Sequence, residues 1–316
     1  MSNVHFAKFN INEKIYKVYN EKNSLKELLL KVYEGLNTDI ELQESSYGKT
    51  TNFKFIHLFK ETEKMIINGR IVAYAPGTHI SYDDKNDDII ETEDSKKATY
   101  ITFSFDINKE TIGFVPKFDF GRNQFINRFE MLVEVMCPDI GEVSLILETD
   151  RQALDAKLSK FEHVQELSLQ LIPPNNDKKL FNELFDLDPD KLEETGGTNF
   201  FFRFKGTAKR GLNLSAEYVK NLILGVSIGY GKLTAKGKNT SGEDLNVKSN
   251  TDALYTRPIF DNNKDNVLEI EEKTRAGISE LSYHKNKLKQ EHFDMKKEKE
   301  ELLRRMKLNE DEEGEK

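Results

Sequence analysis

Apolar residues along this chain recur with two different periods, and the period in each stretch predicts the element it forms. Residues 4–11 alternate apolar and polar, as a half-buried strand does. After Ser24, whose hydroxyl suits a helix N-cap, Leu25, Leu28, Leu29 and Val32 fall on one helical face. Strands are expected at 53–59 and 65–74 around a turn at 61–64, with Pro76-Gly77 as a stop. A hairpin of 100–105 with 112–118 turns at Asn108 and leads into a helix at 122–136, which ends near Pro138. Between these elements, residues 83–94 carry seven acids and one lysine among turn formers, so a solvated loop is expected there.

The second half is more regular. Strands at 143–149, 164–172, 199–205 and 229–238 alternate with helices at 151–160 and 215–224, and a helical insert at 177–194 ends at Gly196-Gly197. Without the insert the order is βαββαβ, the ferredoxin-like split unit, with a further strand at 244–248 at its edge. The fold class is therefore α+β: a mixed N-terminal domain over 1–140, a ferredoxin-like domain over 141–260, and a charged helix with an acidic tail over 261–316. The end, NEDEEGEK, is expected to fray.

Splitting the later strands by their alternation gives two unlike faces. One collects Val143, Leu145, Leu147, Leu167, Leu169, Leu171, Phe200, Phe202, Phe204, Leu233 and Ala235, the side that helices would cover. The other collects Ser144, Ile146, Glu148, Glu166, Ser168, Gln170, Phe201, Arg203, Lys205, Tyr230, Lys232, Thr234 and Lys236, the wet side of an antiparallel sheet. Two aromatics, Phe201 and Tyr230, are interleaved there with Arg203, Lys205, Lys232, Lys236 and Lys238, and Lys209 and Arg210 follow in the next loop.

Charge sharpens this picture. The 316 residues carry 55 acids and 47 bases, a formal charge of −8, which excludes a uniformly basic coat protein. From Arg203 to Arg257 the balance reverses, with ten Lys or Arg against four acids. Such a patch suits a polyanion: cations neutralise phosphates and an exposed aromatic stacks on an unpaired base. RNA-recognition modules of this topology place stacking aromatics on the third strand, where Phe201 stands, although Ser144, Ile146 and Glu148 on the first strand supply none. The competing reading is that another domain or a second copy covers this face and makes Phe201 interface core.

Catalytic chemistry finds little support. In GVSIGYGKLTAKGK, residues 225–238, five residues separate Gly225 from Gly231-Lys232 where a P-loop needs four, and the glycines open a strand instead of following one, so a dinucleotide fingerprint also fails. The spacing of Gly229, Gly231 and Gly237 resembles the glycine-rich loop of repeat-associated RNA-binding proteins of CRISPR systems; caps and tight turns are the structural alternative. His5, His57, His79, His163, His284 and His292 form no HExxH pair and none follows an arginine at the HEPN-type ribonuclease spacing. Nothing singles out Tyr230 or His5 for metal-free RNA cleavage, and Pro138-Asp139 with Glu148 lacks the lysine of a metal nuclease. The paired acids at 83–84 and 87–88 lack the glycine and glutamate of a calcium loop. The single cysteine, Cys137, excludes a disulfide framework or multi-cysteine metal site and fits reducing cytosol; no metal or cofactor is expected. No run of eighteen apolar residues and no apolar leader occurs, so neither membrane insertion nor secretion is supported and a cytoplasmic location is expected.

In the C-terminal helix Val267, Thr274, Leu281, Leu288, Met295 and Leu302 recur every seven residues, but the companion positions hold His284, Glu291, Glu298 and Arg305. This is a narrow docking stripe, open to a weak homo-oligomer or a protein partner.

Gly69-Arg70-Ile71, the strand end at Leu169 to Pro173-Pro174-Asn175, the helix start Leu212-Asn213-Leu214-Ser215 and the turn Gly229-Tyr230-Gly231 together resemble the uncharacterised bacterial domain-of-unknown-function 4747 family. That resemblance spans most of 1–256 and implies a cytoplasmic bacterial protein associated with antiviral defence. The expected function is binding of single-stranded RNA or DNA through Phe201, Arg203, Lys205, Lys209, Arg210, Tyr230, Lys232, Lys236 and Lys238. The alternatives are an oligomerising interaction subunit and a cryptic ribonuclease.

Overall fold

The computed structural model describes residues 1–46, 48–207 and 209–314. Among the described residues the strands are β1 Ser2–Ile11, β2 Glu41–Ser46, β3 Lys49–Glu61, β4 Ile66–Asp83, β5 Asp88–Asp106, β6 Thr111–Phe114, β7 Val143–Leu147, β8 Phe161–Leu171, β9 Phe200–Lys205, β10 Gly231–Asn239, β11 Asp244–Lys248 and β12 Thr256–Ile259. The helices are α1 Ile15–Tyr19, α2 Leu25–Gly35, α3 Arg122–Met136, α4 Arg151–Leu158, α5 Lys178–Phe185, α6 Pro189–Thr195, α7 Glu217–Ser227, α8 Ser249–Asp252 and α9 Val267–Gly314.

The larger sheet is antiparallel, in the order β12-β1-β6-β5-β4-β3-β2. Two strands share the free side of β1: β12 pairs with Ser2 to His5, and β7 pairs with Ala7 to Ile11. A bridge between Thr149 and Leu254 joins them end to end. Alternation in β1, β3, β5 and β6 turns Phe9, Phe53, Phe55, Phe103, Phe105 and Phe114 to one side, where they are fully buried. On α3, Phe125, Phe129, Leu132 and Val133 recur at helical spacing and pack onto them; Phe114 stacks on Phe125 with centroids 4.1 Å apart, and Phe129 meets Phe103 edge to face at 5.5 Å. Each such buried ring contributes about 1.5–3 kcal/mol of burial free energy.

The outer edge of β7 is closed by the same helix. Glu130 Oε1 accepts from the Leu145 amide at 2.6 Å, and Glu134 Oε1, one turn on, accepts from the Val143 amide at 3.1 Å. Two carboxylates at i, i+4 thus satisfy alternate outward amides of an edge strand, which leaves that edge unable to recruit another strand.

The smaller sheet has the order β11-β10-β8-β9, also antiparallel. Leu167, Leu169, Leu171, Leu233, Ala235 and Val247 are buried on its inner side, and α5 and α7 contribute Phe181, Leu184, Phe185, Leu222 and Val226. Gly225 of α7 lets the helices approach: a Cβ there would stand 2.1 Å from the Phe185 ring. Asn175, beyond β8, clasps this sheet to the larger one. Its Oδ1 accepts from the Ile11 amide at 2.7 Å, and its Nδ2 donates to the Phe9 carbonyl and to Glu110 Oε2.

Several expectations are corrected. The ferredoxin-like unit is not assembled, because its expected first strand, β7, pairs with β1 in the other sheet. Its alternation says nothing about partners, and Ile146 and Glu148, assigned to a wet face, are buried. The strand pairing ties segments 1–140 and 141–260 into one compact unit, Met1–Gly277, with Ile278–Lys316 as a second. The acidic run 83–94 is not a loop: β4 and β5 continue through it and turn at 84–87. Pro76 does not stop β4 because it falls at a bulge between Ala75 and Gly77, where no ladder amide is required. The acidic tail is helical to Gly314; its last two residues, and the Arg305 side chain of the heptad pattern, lie outside the described residues.

Candidate nucleic-acid interface

On the outer side of the smaller sheet, strand register sets side chains in rows. Phe201, Gln170 and Lys232 form one. Arg203, Ser168, Thr234 and Lys248 form the next, and Lys205, Glu166, Lys236 and Asn246 the third. His163, Lys238 and Asp244 follow past a bulge at Gly237. Neighbours stand about 5 Å apart across strands and about 7 Å along one.

The Phe201 ring is 74% exposed, while Phe202 and Phe204 on the same strand turn to the helix side, where Phe204 meets Tyr218 edge to face. Arg203, Lys205, Lys236, Lys238 and Lys248 are exposed and Lys232 half-buried. Among the described residues Arg203 alone of these cations is ion-paired, donating to Glu166 Oε2 at 2.5 Å. That hydrogen bond holds the Glu166 carboxyl below its ordinary range, and Arg203, Lys236 and Lys205 add their fields. One carboxylate thus sits inside a ring of cations and leaves the face positive.

The loop after β9 brings Lys209 and Arg210, both exposed, to the Lys205 end. It folds back through the Leu212 amide, which donates to the Val164 carbonyl at 2.7 Å. Arg210 lines an open groove of about 570 Å³ with Leu158, Phe161 and Leu212.

Tyr230 is a correction. It is 4% exposed, its hydroxyl donates to Asp177 Oδ2 at 2.9 Å, and its ring packs on Phe181 and Phe185. Burial drives its phenol far above the ordinary value. The strand begins at Gly231, one residue later than the alternation assumed, so Tyr230 belongs to the turn and points into the helix layer. Lys248 was missed, although the same alternation along 244–248 places it on the wet face.

The glycines of this segment serve internal packing. Gly229 has φ +96°, a left-handed turn closing α7. A Cβ at Gly231 would lie 2.1 Å from the Gln170 carbonyl oxygen, and one at Gly237 2.0 Å from that of His163. Both backbones face a neighbouring strand, so they present no open surface to RNA.

Elsewhere among the described residues the titratable groups do not gather into a reactive centre. His5 lines a hollow of about 460 Å³ with Phe118, Arg122 and Gln124; burial, then the Arg122 charge, bring its pKa down to about 4, so it is neutral at pH 7. Burial pushes the Cys137 thiol up to about 11, away from the range of a nucleophile. His57 lies on β3, His163 on β8, and His284 and His292 two turns apart on α9, and the His79 side chain is outside the described ones. Among the described residues no group of three or more His, Cys, Asp or Glu could hold a metal ion, and no helix is long and apolar enough to cross a membrane.

Comparison with known proteins gives a family and is silent on the face. A family described as a domain of unknown function (DUF4747) matches residues 4–274. No curated protein matches the chain.

Proposed function

The chain belongs to the DUF4747 family, and for this member we propose binding of single-stranded nucleic acid, RNA in preference, in the service of bacterial antiviral defence. The observation that carries the reading is the Phe201 ring, exposed on a strand whose outward neighbours Arg203 and Lys205 are cations, with Lys232, Lys236, Lys238 and Lys248 on the strands beside it. A flat ring offers stacking to an unpaired base and flanking cations take the backbone, a combination that favours single strands over duplex. The defence setting rests on the family resemblance of the motifs around Gly69, Asn175, Asn213 and Tyr230.

Filter binding of single-stranded RNA and DNA across a salt series tests this. Phe201→Ala is expected to weaken binding about 5- to 150-fold, the effect of losing roughly 1–3 kcal/mol of stacking. The triple variant Arg203→Glu, Lys205→Glu, Lys236→Glu is expected to abolish binding. Neutralising the same three cations with Gln should lower the slope of log affinity against log salt by about 2. Wild-type affinity in all three variants would discard the reading.

A further inference from the structure

Past the bulge at Pro76, β4 and β5 pair with each other and with no third strand among the described residues. From Gly77 to Asp94 they make a two-stranded arm whose turn is held by Asn86 donating to Asp83 and Tyr82 donating to Asp87. Cross-strand pairs point to one side, and register therefore puts Thr78 with Glu93, Ile80 with Glu91, and Tyr82 with Ile89 on one face. Ile80, Tyr82 and Ile89 on that face are 62%, 61% and 62% exposed. A bare two-stranded ribbon is marginal in water, and exposed apolar groups on it gain most from being covered.

The same chain carries a surface of opposite character. The arm holds seven acids and one lysine. The outer face of the smaller sheet holds Arg203, Lys205, Lys232, Lys236, Lys238 and Lys248 against Glu166 and Asp244, with Phe201 standing out among them. Seven cross-strand pairs give the arm a length of about 24 Å, and four strands give the face a width of about 19 Å. We propose that the arm of one copy docks on this face of a second copy, Ile80, Tyr82 and Ile89 against Phe201, and Glu91 and Glu93 against Arg203, Lys205 and Lys236. One such contact buries on the order of 700 Å² in total, below what a stable dimer needs. Reciprocal exchange of arms about a two-fold axis doubles it into the specific range, so the assembly is a dimer that weakens with salt. Resting on the nucleic-acid reading above, the docked arm also competes with RNA for Phe201 and the cations, and RNA releases it.

The test is the mass of the full chain by sedimentation equilibrium between about 1 and 100 µM at low and high salt. Wild type is expected to dimerise at low salt. Glu91→Lys/Glu93→Lys, on the arm, and Arg203→Glu/Lys236→Glu, on the face, are each expected to associate at least tenfold more weakly. Their equimolar mixture regains the dimer, since each arm then meets a face of opposite charge in both contacts. A monomeric wild type over the whole range, variants that dimerise like wild type, or a mixture that stays monomeric would overturn the proposal. RNA binding by the arm variant separates the two readings. It should be as tight as wild type or tighter, whereas absence of RNA binding in wild type would remove the nucleic-acid reading and leave the mass result standing.

Discussion

Replacing Glu130 by glutamine should stabilise the protein at pH 8 and change nothing near pH 4.5. Burial pushes the Glu130 carboxyl up from 4.5 to about 7; the Leu145 amide opposes this, Glu134 and Glu142 add to it, and Lys232 partly offsets it. Because the folded pKa lies above the unfolded one, the folded state holds this proton the more tightly. The cost of ionisation is absent below 4.5, grows across the window up to about 7, and is complete above it. A rise of that size corresponds to an upper limit of about 3 kcal/mol, which residual solvent contact reduces to about 1–2 kcal/mol. Glutamine keeps an oxygen for the Leu145 amide and drops the charge, so the edge of β7 stays closed. Urea unfolding of both proteins at pH 5, 6, 7 and 8 reads the effect. A stability difference that is flat with pH, or that favours the glutamine variant most in acid, would refute burial as the cause of the raised pKa.

Tyr230→Phe should cost about 1 kcal/mol in denaturant unfolding, the net worth of its hydrogen bond to Asp177, and leave nucleic-acid affinity at wild type. Lost affinity with intact stability would instead put the phenol on the ligand. Asn175→Ala removes an acceptor for the Ile11 amide and donors to the Phe9 carbonyl and Glu110, all buried, and should cost about 3 kcal/mol or more. A shift below about 1 kcal/mol would show that water replaces the clasp.

Local periodicity carried most of the elements. The helix from Leu25 to Gly35 lies where the leucine spacing put it, the one from Arg122 to Met136 has the expected bounds, and the alternation through Phe200–Lys205 assigned the exposed and covered rings correctly. What it could not carry was partnership across long separations. Nothing in VSLIL says that it pairs with residues 7–11 and not with the strand after it, since both partners offer the same alternation. The arm was missed for a different reason. Acidic composition lowers strand propensity, yet the ladder continues from Ala73 and Tyr74 outward, so each further pair extends existing order without a new nucleus. Tyr230 shows the limit at single-residue scale, where a one-residue difference in strand start moves a side chain from the wet face into the core.

The residues that carry the family resemblance belong to the frame. A Cβ at Gly69 would lie 2.5 Å from Leu58, Arg70 lies over the Tyr100 ring at 4.9 Å and donates to the Asp265 carbonyl, Pro174 accepts from the Tyr19 hydroxyl, and Asn213 Oδ1 accepts from the Ser215 amide. Asn175 clasps the sheets and Tyr230 fills the space between α5 and β10. None of these groups is placed to meet a ligand on the outer face, so membership of the family speaks for the architecture and not for Phe201 or its cations. The two sets separate experimentally: frame substitutions such as Asn175→Ala should lower stability and binding together, while Phe201→Ala should lower binding alone. If Phe201→Ala instead destabilised the fold as a buried phenylalanine would, the ring would be part of the frame and the outer face would lose its claim to a ligand.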